Sequence, residues 1–165
     1  MFIQAKNLHY GLDFCPAFWD WLIAQNQRDN VFSIKEVADE IIKGNDELVD
    51  WVQERGKRLF RKPDRTIPSI FFEKVSKWAN EQSYSQAAVS TFLKSADYYL
   101  VTHALASSYT VVTHEIAANS TTKIKIPNAC AGLDIDYMTP FEMLRLERAL
   151  FVLEEPHEAG QQNRL

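Results

Sequence analysis

Tyr109-Thr-Val-Val-Thr-His-Glu115 decides how this chain is read. Residues 109–113 are short, β-branched and bounded by polar residues, which is the pattern of a strand. Glu115 falls just past its end. Ahead of it, Leu100, Val101, Ala104 and Leu105 keep helical spacing from a start near Asp97. A strand entered from a helix, with an acid at its exit, is one unit of an α/β sheet.

The same alternation extends in both directions. Toward the N-terminus, Ala88, Val89, Phe92 and Leu93 mark a helix over 85–95, and another starts at Pro68-Ser69. Asn45 can cap a helix carrying Leu48, Trp51 and Val52 until Gly56. Ser33-Ile-Lys-Glu36 reads as a capping box for a helix with Val37, Ile41 and Ile42 that stops at Gly44. Residues 30–33 read as a short strand and 13–27 as a helix with Pro16 in its first turn. Phe2-Ile-Gln-Ala5 reads as the tail of a strand. Toward the C-terminus, 124–126 and 133–137 are weaker strands. Thr139-Pro-Phe-Glu142 is a second capping box, opening a helix to about Phe151. The expected fold is therefore α/β, a short parallel sheet flanked by helices. Right-handed crossovers place the strand carboxyl ends on one edge, where such folds bind ligands.

The chain has 165 residues, enough for one domain. We take it as 1–153, with 154–165 (polar, containing Pro156 and Gly160) as a disordered tail. No apolar run is long enough to cross a bilayer, and no secretory start is present, so the cytoplasm is the expected location. Cys15 and Cys130 are too few for a disulfide framework and read as small buried hydrophobes. Phe14, Phe18, Trp19 and Trp21 read as core by their spacing. The net charge of −4 excludes a generic polyanion binder, but 55–65 concentrates Arg55, Lys57, Arg58, Arg61, Lys62 and Arg65 against Asp64 alone. Such a stretch is either a solvated loop or a grip on phosphates.

Gly-rich phosphate loops, a Gly-x-Ser-x-Gly elbow and zinc-spaced histidines are missing from the sequence. Carboxylates remain. Glu40 lies one turn after Glu36, which its capping box can consume. Asp97 stands in the first turn of a helix, where the dipole favours an anion. Glu115 stands at the ligand edge of the sheet. If these acids converge they repel, and a divalent cation with hard oxygen preferences (magnesium or manganese) relieves that repulsion. Taken singly, each acid also reads as a surface or capping residue. His114, Lys123 and Lys125 are open to both a solvated reading and contact with a phosphate.

Several short motifs, in order, resemble a known group: Phe2-Ile-Gln-Ala-Lys-Asn7, Cys15-Pro-Ala-Phe-Trp-Asp-Trp21, Glu36-Val-Ala-Asp-Glu40, Ala96-Asp97, Val111-Val-Thr-His-Glu115 and Lys125-Ile-Pro-Asn-Ala-Cys130. Together they look like a bacterial branch of the PIN-like nucleases, which include VapC-type toxins of toxin–antitoxin pairs. The resemblance runs to about Phe151. It implies a three-layer PIN-like fold and RNA hydrolysis by carboxylate-bound Mg2+ or Mn2+. By it, Glu40, Asp97 and Glu115 correspond to catalytic metal ligands, and Thr113 to the small hydroxyl residue before the last acid. It further implies an antitoxin that blocks the acidic groove through an inserted Arg or Lys, and a homodimer.

The family's first motif is a strand ending in Asp, followed by a small polar residue and Val-Phe-Ile. Here Met1 stands in the place of that Val. The resemblance thus implies that the first catalytic Asp is missing from residues 1–165, by an internal start of translation or by shortening. It also implies that these residues bind metal weakly or not at all. Two other readings follow: a catalytically silent PIN-like module that binds RNA or a protein partner, and a nuclease acting on DNA.

Overall fold

The computed structural model describes residues 1–62 and 66–152. Arg65 and the segment 154–165 lie outside the described residues. The fold is mixed α/β. Its elements are α1 (Phe2–Gln4), a π-turn (Ala5–His9), α2 (Pro16–Gln27), β1 (Ser33–Ile34), α3 (Lys35–Ile41), α4 (Glu47–Glu54) and β2 (Phe60–Arg61). They continue as α5 (Ser69–Glu81), α6 (Gln86–Leu93), α7 (Ala96–Ser107), β3 (Val111–Val112), α8 (Ile126–Gly132), β4 (Tyr137–Met138) and α9 (Pro140–Leu146).

Among the described residues the strands form two parallel pairs rather than one sheet. Ser33 lies opposite Phe60 in β1–β2, and Val111 opposite Tyr137 in β3–β4. Each pair anchors its own core. Phe18, Trp19, Leu22, Leu48, Trp51 and Leu59 gather around the first. Val75, Ala79, Phe92, Val101, Ile126 and Cys130 gather around the second. A cavity of about 520 Å³ lies between the pairs, with Ser33 and Ile34 on one wall and Val111, Val112 and Met138 on another. Met1, Glu40 and Asp97 also line it.

Several local expectations are corrected. Phe2–Ala5 is helical, not the end of a strand, and passes into the π-turn closed by the Tyr10 N–H on the Ala5 carbonyl at 2.7 Å. The Ser33–Glu36 capping box does not form, because Ser33 is consumed in β1 and Ile34 becomes the N-cap. Glu36 instead leaves Oε2 buried with no partner. Asp46, not Asn45, caps α4, its carboxylate accepting from the Leu48 N–H at 3.1 Å. Residues 124–126 form no strand; Ile126 opens α8, with Pro127 in its first turn. The 139–142 capping box is present, but α9 stops at Leu146, and Arg148 turns left-handed at φ 51°. Phe18 and Trp19 are buried as expected and Trp21 is half-buried, whereas Phe14 is 70% exposed. Cys130 is buried and Cys15 half-buried. Burial pushes the Cys130 thiol up to about 12, so it stays a protonated hydrophobe.

Candidate functional site

Three chain segments deliver the acids. β1 runs directly into α3, and Glu40 lies near the end of that helix. Its Oε1 accepts the Ala96 N–H at 2.8 Å, so Glu40 caps α7 from 56 positions away. This bond satisfies an orphan donor at a helix start and fixes Glu40 beside the first turn that carries Asp97. Glu115 follows β3. Thr113 is 2% exposed, and its Oγ accepts the Glu115 N–H at 3.0 Å, which sets the turn that aims the carboxylate.

Glu115 is held firmly. Its Oε2 accepts the Ile126 N–H at 2.9 Å, and its Oε1 lies 3.0 Å from Lys125 Nζ and 3.5 Å from Lys123 Nζ. Burial works against the charge, but the Ile126 N–H and the two lysines outweigh it and hold the carboxyl below its ordinary value. Lys125 is pushed up in return by its bond to Glu115. Asp97 is the opposite case. Burial first, then Glu115, then Glu40, push its carboxyl above the ordinary range, against the Met1 ammonium and Lys123.

The Met1 amino group was not foreseen in the sequence. Burial lowers its basicity, while Asp97, Glu115 and Glu40 all raise it, so one half-buried amine feels the charge of all three acids. The carboxylates thus influence one another, and Glu40 and Asp97 line the cavity while Glu115 does not. The donor chemistry, oxygen only, suits a hard divalent cation. Yet among the described residues no group of three or more His, Cys, Asp or Glu is gathered closely enough to hold a metal ion. Both Glu115 oxygens and one Glu40 oxygen are engaged in the bonds above.

The other expected residues divide. Lys123 and Lys125 reach the site through Glu115. Glu36 does not line the cavity. The basic stretch is not a loop throughout, since Leu59 and Phe60 are buried and β2 pairs with β1. Arg55 pairs with Asp20 at 2.6 Å, and Arg61 pairs with Asp29 at 3.0 Å while lying 3.6 Å over the Phe32 ring. Lys57, Arg58 and Lys62 are exposed. Among the described residues none of these cations pairs with Glu40, Asp97 or Glu115.

Beside Glu115, His114 stacks on His9 with ring centroids 4.7 Å apart. Burial, then His9, then the Met1 ammonium push His114 down to about 4, so it is neutral at pH 7. Its Nε2 is buried with no partner. No spacing rule links His9 to His114, 105 positions away in the numbering.

No helix among the described residues is long and apolar enough to cross a membrane. No curated protein and no solved structure matches the chain. The profile of one family covers residues 1–151, and the chain belongs to that family, the domain of unknown function DUF4411.

Proposed function

We propose that this protein is a PIN-like, metal-dependent ribonuclease, with Glu40, Asp97 and Glu115 as the ligands of Mg2+ or Mn2+. The observation that carries this reading is the unbalanced field at Asp97. Asp97 is half-buried, lies in the first turn of α7, and its carboxyl is pushed up by burial and by two further carboxylates. Natural proteins keep such a cluster at a cost in stability, which function can offset. When bound, the ion would polarise the phosphate and supply an activated water.

The chain's own residues prepare that chemistry. Glu40 and Asp97 are fixed together by the Ala96 N–H, and Thr113 orients Glu115. Lys125 and Lys123 keep Glu115 ionised, and their ammonium groups would offer positive charge to a substrate phosphate bound beside it. The role as toxin in a toxin–antitoxin pair rests on the sequence resemblance alone.

Cleavage of single-stranded RNA with Mn2+ tests the reading. Protein carrying a restored Asp-bearing first strand ahead of Met1 should cut, EDTA should stop it, and Glu115→Gln in that protein should lower the rate by about 100-fold or more. No cleavage by the restored protein, or a rate equal with and without Glu115→Gln, would refute it. A second reading, a silent module that binds RNA or a partner protein, is favoured by the full engagement of Glu115 and by the lack of a gathered metal-binding group among the described residues. Its outcome in the same assay is RNA binding without cleavage.

A further inference from the structure

The nuclease reading leaves one ring cluster unused. His9 ends the π-turn, His114 lies between Thr113 and Glu115, and Phe141 lies in the first turn of α9. The two imidazoles stack with 24° between their planes. Phe141 turns its edge to both, at 5.2 Å from His9 and 5.8 Å from His114, with angles of 79° and 77°. His9 is exposed and Phe141 is 37% exposed. The assembly reaches the surface at His9 and Phe141 and is joined to the core through Tyr10, which lies 6.2 Å from both rings and stacks on the buried Phe18 at 4.0 Å.

Each ring is held by its own element. The π-turn widens the chain at His9, and such turns recur at functional sites. His114 is carried by the same Thr113 turn that aims Glu115. Phe141 follows the buried Pro140 inside the α9 capping box. Three separate elements thus present one braced, flat ring at the surface, one residue from an acid of the candidate site. A flat, preorganised ring beside a phosphate-handling centre matches the aromatic platforms on which single-stranded nucleic acids stack their bases.

We propose that His9, backed by His114 and braced by Phe141, is a stacking subsite for a nucleobase of single-stranded RNA. The proposal rests on the ribonuclease reading for the polymer it names, and it goes beyond that reading by assigning a base-contacting residue. The base is held by its face, so the subsite tolerates different bases.

Equilibrium binding in EDTA tests it without any contribution from cleavage. The probes are a fluorescein-labelled adenosine hexanucleotide and an abasic ribose-phosphate hexamer of the same length. His9→Ala, at an exposed position, should weaken binding of the adenosine probe by about 5- to 150-fold, and His9→Phe should keep it within about threefold of wild type. The abasic probe should bind weakly and equally to all three proteins. Equal affinity of wild type and His9→Ala for the adenosine probe overturns the proposal. So does an equal loss with the abasic probe, which would make His9 a phosphate contact, and so does failure of the wild type to bind the adenosine probe. Base-dependent binding with no Mn2+-dependent cleavage by the restored protein would keep the subsite and sink the nuclease reading, so the two failures are distinct.

Discussion

Asp97→Asn should stabilise the protein at neutral pH. The side chains are nearly isosteric, so packing is preserved and the change is one of charge. In the native state burial, Glu115 and Glu40 disfavour the Asp97 carboxylate more than the Met1 ammonium and Lys123 favour it. A carboxyl whose folded pKa lies above its unfolded value destabilises the fold once both states are ionised. Its contribution recovers as pH falls through the folded pKa and is complete below the unfolded one. The α7 dipole works the other way, since an anion in the first turn gains about 0.3–1 kcal/mol. We expect the crowding to win, with a net gain of about 1 kcal/mol for the amide, the ordinary size for relief of a strained functional site. In a chain of 165 residues that is a rise of about 2–4 °C in Tm. Thermal unfolding at pH 7 and again near pH 4 reads both parts. The gap between variant and wild type should be present at pH 7, shrink as the wild-type carboxyl takes up its proton, and narrow with added salt. A variant that melts at or below wild type at pH 7 would refute the reasoning, as would a gap that ignores pH.

Glu115 should titrate with the opposite sign. Its folded pKa lies below its unfolded value, so its stabilisation is present above the ordinary carboxylate range and is lost as pH falls through the folded pKa. Glu115→Gln should cost about 1–2 kcal/mol at pH 7 by weakening the bonds to Lys125 and Lys123, and melting curves should show that cost fading in acid. At Glu40, replacement by Gln keeps an oxygen for the Ala96 N–H and should change stability by less than about 0.5 kcal/mol, whereas Ala removes the cap of α7 and should cost about 1 kcal/mol in denaturant unfolding. Gly132 closes α8 against an indole: an added Cβ would lie 2.1 Å from Trp78 Nε1. Gly132→Ala should therefore destabilise by about 1–3 kcal/mol, with a changed Trp fluorescence.

The elements that were legible in the sequence are those set by local chemistry. The Thr139–Glu142 box, Pro16 and Pro140 at helix starts, and the β-branched run before Glu115 all specify their structure through neighbours in the chain. The misreadings come from competition at longer range. Ser33 could cap a helix or pair in a strand, and pairing with Phe60 wins because it buries Ile34 beside the core. Phe60-Arg61 was hidden among cations, since a two-residue strand shows no alternation. Phe14 shares helical spacing with Phe18 but precedes the Pro16 start of α2, so it falls outside the buried face.

At the candidate site, residue types and their place after strands or in first turns singled out Glu40, Asp97 and Glu115. Their partners could not be read in the same way. The bonds to Ala96 and Ile126 are made by backbone N–H groups, which every residue but proline carries and which leave no mark in a sequence. The stacking of His9 on His114 depends on the π-turn, a register change that no periodicity announces.

On the reading proposed above, the three carboxylates form one cation site. Paramagnetic line broadening by substoichiometric Mn2+, followed on backbone amides, tests it most directly and works even for weak binding. The amides of Ala96, Asp97, Glu115 and Ile126 should broaden first, those of Lys57 and Arg58 should stay sharp, and Glu115→Gln should suppress the effect. Broadening centred elsewhere, or unchanged in Glu115→Gln, would contradict it.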